Sequence, residues 1–422
     1  MRDCSRLPIL LLAALLATTL ALGPVADADI QYWLDDVPDY RWYYGCSPTA
    51  GGNLIGYWDN QPGYGHLYEG TAPMTAPHSN PIYDIIASPE HINEPYTANE
   101  CTHSGGPNSL SCFMHTDPNT GGSYSWNIAA GMRRFAAWDN PDTAINETAH
   151  FTSFVYYAPH VSWGDFWNDA TFQFGDLVRE IDAGRPLLLN MSLVGGAHSV
   201  AAYGYWIDEL GDRWFATRDT WLDGDSDGVY GVQSRLSNGQ EWWRYTNQQI
   251  AGSTGNEYFV SNAIPFIPNP TGPIVEETNF GNDRLSALTI YSDAETIYAS
   301  LAEEDEDWYR VWLDAGDRAV FTTQSDMGFD EAIDTQIRLY DDTGALVFNN
   351  SIVGITNISN LWWRAQESGW HYAQVLSGGN EGAPQTGDYV LTYYRAPVPE
   401  PGTIILISLG LAGVILRRRA VA

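Results

Sequence analysis

The chain has 422 residues and a formal net charge of -32, and all of its basic residues are Arg. So acidic a surface repels phosphate backbones, which argues against a nucleic acid partner. The richness in Trp, Tyr and Gly favours a folded, strand-rich protein over a disordered one, and the length predicts two domains.

The first 28 residues carry the signature of an export signal. A short charged segment precedes the apolar run Leu7 to Leu22, and small residues follow at Ala26 to Ala28. This order is typical of a secretory signal peptide. We therefore predict a signal peptide over residues 1–28 and a secreted protein.

The cysteines divide into three groups. Cys4 leaves with the signal peptide, while Cys101 and Cys112 flank a Gly-Pro-Asn loop and are predicted to form a small disulfide. Cys46 is then left over. An odd cysteine in a secreted protein is either a partner for another chain or a free reactive thiol.

The sequence around Cys46 predicts a helix that begins at this residue. Ser47 can cap a helix, Pro48 suits a first turn, and the apolar residues Leu54 and Ile55 follow at helical spacing. A thiol at a helix N-terminus is favoured as the thiolate by the macrodipole and the unpaired amides, which can also hold an oxyanion.

A base for this thiol is predicted at His198. The apolar segment 186–192, a glycine turn and the segment 198–205 read as a hairpin, with His198 near the turn. The next predicted strand, 214–218, ends at Asp219. If it pairs with the preceding strand, Cys46, His198 and Asp219 form a cysteine triad, in which Asp219 orients the imidazole.

Spacing favours this triad over a structural interpretation. His198 follows Cys46 by 152 residues, close to the roughly 130 to 150 of papain-like enzymes. The alternative is a buried structural cysteine together with a core histidine on an apolar strand. The order of the three residues and their predicted places on a helix and two strands support the triad.

The motifs resemble those of papain-clan peptidases related to bacteriocin-leader processing enzymes. They are Gly-Cys-Ser-Pro-Thr-Ala at 45–50, Gly-Ala-His-Ser-Val at 196–200 and Arg-Asp-Thr-Trp at 218–221. The resemblance implies an α+β papain-like cysteine peptidase domain over residues 29–265. That family usually has a Gln about six residues before the cysteine as oxyanion donor. Here the position is Tyr40, so Tyr40 and Trp42 are the substitute candidates.

An acidic loop follows the predicted triad. Asp223, Asp225 and Asp227 alternate before a glycine, as carboxylates do in calcium loops. No Glu stands where an EF-hand needs its last ligand, so a solvated acidic loop is the simpler interpretation. No cofactor is required by the predicted chemistry, and calcium is the one candidate metal.

The C-terminal half is predicted to be a second, all-β domain. Four prolines in residues 264–273 indicate a linker, which we place at 266–278. Short alternating strands separated by Gly and Asp turns follow over 279–396 and predict a β-sandwich. This region resembles the bacterial pre-peptidase C-terminal domain, a jelly-roll module. An unrelated sandwich with common turns is the alternative.

The last residues predict a sorting signal. Pro399-Glu400-Pro401 precedes an apolar run of 14 residues and Arg417 to Arg419. The run is short for a bilayer span, and the arginines place the rest of the chain outside. The pattern over 398–419 resembles the PEP-CTERM signal with its short transmembrane helix. It implies processing by an exosortase-type enzyme in a Gram-negative bacterium. An ordinary tail anchor is the alternative.

Together these features predict a secreted thiol peptidase that is sorted to the cell surface or extracellular matrix and acts on a peptide or protein substrate. The membrane is a partner only through the C-terminal helix before processing. The alternative from another class is a non-catalytic surface or matrix protein that keeps a peptidase scaffold for binding. Acyl transfer to an amine instead of water is a third possibility.

Overall fold

The chain is mostly β-sheet with few helices. A computed structural model describes residues 29–68, 70–93, 106–139, 148–158, 171–193, 196–221, 233–246, 258–276, 280–303, 305–324, 333–350, 359–378 and 386–397. The predicted signal peptide and the predicted C-terminal sorting segment 398–419 lie outside these residues. Among the described helices, none is long and apolar enough to cross a membrane.

The helices of the described residues lie between residues 46 and 182. They are α1 (Cys46–Asp59), α2 (Ile82–Ile86), α3 (Pro89–Asn93), α4 (Leu110–Phe113), α5 (Ser125–Ala137) and α6 (Phe174–Asp182). Residues 47 to 59 of α1 are all buried. Its glycines permit this central position, since a Cβ at Gly52 would lie 2.7 Å from Ile86 and one at Gly56 would lie 2.8 Å from the Tyr40 hydroxyl.

An eight-stranded antiparallel sheet packs against α1. Its central strands are β4 (Leu187–Leu193), β5 (Gly196–Ile207) and β6 (Arg213–Arg218). The neighbours in order are β3 (Tyr156–Tyr157) and β9 (Phe259–Ile264) on one side, and β8 (Gln240–Arg244) and β7 (Ser234–Ser237) on the other, while β1 (Ile30–Trp33) also pairs with β5. The predicted pairing of β5 with β6 is present, and α1 and α6 pack against β5.

Part of the predicted linker is structured. Phe266–Pro268 forms β10, which pairs with β2 (Phe151–Ser153), and the Phe266 ring stacks on Phe151 with centroids 3.9 Å apart. Ile274–Val275 forms β11. The residues around these prolines therefore form part of the folded structure, because the apolar side chains of Phe266 and Ile267 are buried.

The C-terminal part consists of two five-stranded sheets around a second apolar core. One sheet has the order β11, β13 (Ala294–Leu301), β20 (Gly387–Ala396), β15 (Arg318–Gln324), β18 (Ser359–Arg364). The other has the order β12 (Leu288–Thr289), β14 (Glu306–Leu313), β19 (Gly369–Ser377), β16 (Thr335–Tyr340), β17 (Leu346–Asn350).

The two parts of the chain share a buried contact. Tyr394 on β20 belongs to the core of the first part, and its hydroxyl donates to Glu180 Oε1 at 2.6 Å. Arg318 on β15 forms an ion pair with Asp176 on α6, whose side chain is 1% exposed. Because buried charges are costly unless paired, this contact holds α6 and the C-terminal sheet in a fixed relation.

Candidate active site

Cys46 is the first residue of α1, as the sequence predicts. The N-cap is Gly45 with φ 153°, and it makes no side-chain capping bond. A Cβ at Gly45 would lie 2.9 Å from both Pro48 and Thr116, so only glycine lets the chain enter the helix here. Ser47 does not cap the helix, and its hydroxyl lies 2.8 Å from that of Ser199.

The Cys46 thiol lies near His198 and Ser199, and both residues lower its pKa. Burial raises the pKa of the Cys46 thiol, but the hydrogen bond and charge of His198 outweigh it, helped by the Ser199 amide and hydroxyl. The net result is a pKa of about 7 for Cys46, below the ordinary thiol value. A substantial fraction of the thiol is therefore ionised at neutral pH, which is the nucleophilic state.

His198 lies on β5 and is buried. A hydrogen bond at one ring nitrogen and a stacked tryptophan fix the position of its imidazole. Its Nε2 is 2.7 Å from the main-chain carbonyl oxygen of Asp219. A carbonyl only accepts, so Nε2 carries the hydrogen and Nδ1 is the nitrogen left for the sulfur. The Trp221 ring stacks on the imidazole at 4.2 Å and 15°. This arrangement fixes the tautomer and shields the ring from water.

Asp219 thus reaches His198 through its backbone rather than through its carboxylate. Asp219 Oδ1 accepts a hydrogen bond from the Trp221 amide at 2.9 Å. Burial and the charge of Glu241 raise the pKa of Asp219 to about 7, although the Trp221 amide and His198 oppose the shift. The predicted orienting role of Asp219 stays a prediction, with the carbonyl as the contacting group.

A strained turn joins the two halves of the site. Thr220 has φ 69°, a left-handed conformation that is uncommon for a β-branched residue. Its carbonyl accepts a hydrogen bond from the Trp42 amide at 2.6 Å. The turn therefore ties the carbonyl that holds His198 to the segment that leads into Cys46, and such strain is often found at functional sites.

The two oxyanion candidates have different positions. Tyr40 is fully buried, and its hydroxyl donates to the Pro73 carbonyl at 2.7 Å. The hydroxyl proton of Tyr40 is therefore bound to a carbonyl and does not point to an oxyanion, which corrects the expectation that Tyr40 is an oxyanion donor. Trp42 is 45% exposed. Its ring and Gly45 both border Gly121, so Trp42 lies near the start of α1. Its role as oxyanion donor stays a prediction.

Sequence reasoning missed three residues of this site. Ser199 lowers the pKa of the thiol, the Thr220 carbonyl accepts from the segment before Cys46, and the Trp221 ring stacks on the imidazole. All three lie within the motifs at 196–200 and 218–221, where Ser199 directly follows His198 and Thr220 directly follows Asp219, which is the only signal the sequence offers. The hydrogen bonds and the ring stacking depend on the fold and have no sequence signature of their own.

The remaining predicted sites are not brought together among the described residues. Cys112 Sγ lies 3.6 Å from His91 Nδ1 and from Asn108 Oδ1, while Cys101 lies outside the described residues, so the disulfide stays a prediction. Asp223, Asp225 and Asp227 also lie outside them. The described ranges contain no group of three His, Cys, Asp or Glu that could hold a metal ion.

A thiol at a helix N-terminus with an imidazole on a neighbouring strand is the arrangement that cysteine peptidases use. The sequence model of the Peptidase_C39 like family matches residues 27–251, which is more than half of the chain. The chain belongs to this papain-clan family. The PEP-CTERM protein-sorting motif matches residues 397–419, and this signal is typical of secreted, surface-sorted proteins of Gram-negative bacteria.

No curated protein matches the chain. Among solved structures, the pre-peptidase C-terminal domain of Bacillus anthracis collagenase is 16% identical, covers 28% of this chain and 100% of its own, and has a TM-score of 0.21. A periplasmic inhibitor of g-type lysozyme from Aeromonas hydrophila is 11% identical, covers 26% and 96%, and also has a TM-score of 0.21. Similarity at this level defines no function.

Proposed function

We propose that this protein is a secreted, surface-sorted thiol peptidase in which Cys46 is the nucleophile, His198 the base and Asp219 the residue that orients the base. The proposal includes a papain-like α+β domain over residues 29–265 and a jelly-roll β-sandwich over 279–396. The observation that carries it is the position of Cys46 at the first residue of α1, near an imidazole that lowers its pKa and is itself anchored at Nε2.

The first half-reaction is acylation of the thiol. His198 Nδ1 takes the proton of Cys46, and the thiolate attacks the peptide carbonyl carbon. A carbon–sulfur bond forms and the carbonyl electron pair moves to oxygen. The first amides of an α-helix have no intrahelical partner, and in this proposal the Cys46 amide donates to the oxyanion. When the tetrahedral intermediate collapses, the carbon–nitrogen bond breaks and the leaving amine takes the proton from His198.

The second half-reaction regenerates the enzyme. His198 removes a proton from water, the hydroxide attacks the thioester, and the carbon–sulfur bond breaks as the thiolate leaves. Trp221 covers one face of the imidazole, which limits the direction from which water arrives. If an amine takes the place of water, the same site performs acyl transfer.

The C-terminal segment supports a location outside the cell. The PEP-CTERM motif at 397–419 is the recognition site for an exosortase-type enzyme, with the predicted short helix as a membrane anchor before processing. We place the mature protein at the cell surface or in the extracellular matrix. The C-terminal sheets would hold the catalytic part there and position a peptide or protein substrate.

A second candidate function is binding without catalysis. It is favoured by the missing Gln before Cys46 and by the Tyr40 hydroxyl, which already donates to a carbonyl. Loss of one oxyanion donor costs about 3 kcal/mol of transition-state stabilisation. A protein with such a site would bind a peptide on the same scaffold and turn it over slowly or not at all.

Cleavage of a mixed peptide library separates the two candidates. The mature chain is incubated with the library under reducing conditions, beside Cys46→Ala and the control Ser111→Ala, which loses a buried hydrogen bond to the Ile86 carbonyl. We expect cleavage by the wild type and the control and none by Cys46→Ala. Equal cleavage by all three would refute the proposal. Peptide binding without cleavage, with Cys46 no more reactive than free cysteine, would support the binding function.

A further inference from the structure

A cavity of about 310 Å³ lies at one end of the C-terminal sheets. It is bordered by residues 341–345, which join β16 to β17, and by residues 365–368, which join β18 to β19. Its volume is at the lower end of the roughly 300 to 1,000 Å³ of ligand sites in proteins. The lining side chains that define its chemistry are Asp341, Asp342, Glu367, Trp363, Trp370 and His371.

The cavity is acidic. Among the described residues that line it, three are carboxylates and none is a basic side chain. Asp341 Oδ1 accepts from the Thr343 amide and hydroxyl and from the Ala345 amide at 2.6 to 2.9 Å, so this carboxylate holds the turn. Asp342 and Glu367 are exposed. Carboxylates of one sign in a cleft attract a positively charged ligand.

His371 adds a buried hydrogen-bond acceptor to this lining. The residue is 6% exposed, and its Nδ1 lies 3.2 Å from the Gly369 carbonyl oxygen. A carbonyl only accepts, so Nδ1 carries the hydrogen and Nε2 of the neutral ring is an acceptor. Burial lowers the pKa of His371, against the Gly369 carbonyl and the charges of Asp341 and Asp342, so the ring is neutral at pH 7. Nε2 makes no hydrogen bond to a described residue.

The distribution of these acceptors favours an organic cation over a metal ion. A metal ion needs ligands that converge on one point, and the described part of the chain contains no group of three His, Cys, Asp or Glu that could hold one. A guanidinium carries five N–H donors in a planar fork, so it can pair with acceptors that lie around it.

The two tryptophans of the lining suit the same ligand. Trp363 and Trp370 offer apolar surface for an alkyl stem and aromatic rings for a cation. The Arg310 guanidinium already lies over Trp370, 5.1 Å from the ring centroid, so the chain itself contains such a contact. Arg284 is held over the Tyr372 ring, and neither arginine lines the cavity.

We propose that this cavity binds the guanidinium group of an arginine side chain in a peptide or protein. Asp342 and Glu367 pair with its charge, and His371 Nε2 accepts one of its N–H hydrogens. Trp363 and Trp370 pack against its alkyl stem. The inference rests on the proposed function only where it makes the bound polypeptide a substrate, because the binding itself requires no reaction of a thiol.

The test is the binding of a short peptide to the whole mature chain with Cys46→Ala, which has no nucleophile to cleave it. The probe is Gly-Ser-Arg-Ser-Gly amide with an uncharged dye, and binding is read by fluorescence polarisation at low salt. The comparison peptide has citrulline, which keeps the shape of arginine without its charge. We expect the arginine peptide to bind saturably and about tenfold more tightly than the citrulline peptide.

Variants of the lining locate the binding. Asp342→Asn combined with Glu367→Gln should weaken binding of the arginine peptide about tenfold. The control is Glu209→Gln combined with Glu303→Gln, which removes the same charge from exposed positions outside the lining and should weaken binding less than about twofold. His371→Phe, which keeps a ring and loses Nε2, should weaken binding about fivefold.

Equal affinity for the two peptides, or equal losses in the two double variants, would overturn the inference, because any attraction would then come from the overall charge of the chain. If circular dichroism shows that His371→Phe does not fold, the double variants decide, since all four of their changes are at exposed side chains. Arginine-selective binding without peptide cleavage by the wild type would refute the proposed function and keep this site. Cleavage without arginine-selective binding would refute the site alone.

Discussion

Replacing Asp219 by Asn tests which atom of this residue holds His198. In the structure the contact is made by the main-chain carbonyl, at 2.7 Å from Nε2, and any side chain leaves that carbonyl in place. Asn also keeps an oxygen that can accept from the Trp221 amide, as Asp219 Oδ1 does. The variant should therefore preserve the tautomer and position of the imidazole and lose only a charge.

The size of the effect follows from the pKa of Asp219, which burial, with a contribution from Glu241, raises to about 7. Below pH 7 the wild-type carboxyl is mostly protonated, so it resembles Asn. Above pH 7 its charge stabilises protonated His198, and the variant lacks that charge. We expect kcat/KM within about threefold of the wild type at pH 6 and about tenfold lower at pH 8, roughly one pKa unit of interaction.

The assay is hydrolysis of a cleaved library peptide between pH 5.5 and 8.5 by the wild type, Asp219→Asn and Asp219→Ala. The Ala variant removes the acceptor for the Trp221 amide and should lose more activity at every pH. When a triad carboxylate itself bonds the imidazole, the Asn variant loses about 10⁴-fold. A loss of that size at pH 6 would refute the role of the carbonyl.

Three further predictions concern the helix entry, the oxyanion donor and the contact between the two parts. Gly45→Ala should cost about 2 kcal/mol of unfolding free energy and slow hydrolysis at least tenfold, because its φ is 153° and its Cβ would clash. Gly175→Ala, with open space around it, should keep both the stability and the activity of the wild type. Trp42→Phe should lower kcat about 10²-fold if the indole N–H donates to the oxyanion, and an unchanged kcat would exclude it. Arg318→Met should lower the urea unfolding free energy by about 3 kcal/mol, because it leaves a buried carboxylate with one cation fewer. Arg244→Met, from a 42% exposed side chain, should cost under about 1 kcal/mol, and equal losses in the two variants would contradict this reasoning.

The local elements of the site follow from the sequence. Pro48 and the apolar spacing after it predict the helix that begins at Cys46. The glycine turn and the Asp208 to Asp212 turn predict the pairing of β4 with β5 and of β5 with β6. These signals are short in range, because turn residues and periodicity act over a few positions.

The parts that sequence reasoning did not reach depend on long-range packing. The carbonyl of Asp219 has no side-chain signature, so its contact with His198 appears only in the folded chain. Prolines around Phe266 indicate a linker, yet burial of that ring against Phe151 makes a strand. The position of Tyr40 in the sequence predicts an oxyanion donor, but its hydroxyl donates to the carbonyl of Pro73, 33 residues away.

Covalent capture of Cys46 tests the central claim most directly. A peptide bearing an electrophile is offered at pH 7 to the mature wild-type chain and to His198→Ala, and the Cys46 adduct is measured by mass spectrometry over time. Because contact with His198 lowers the pKa of Cys46 to about 7, the wild type should react at least tenfold faster than the variant and than free cysteine. Equal rates in all three would show that His198 does not activate this thiol.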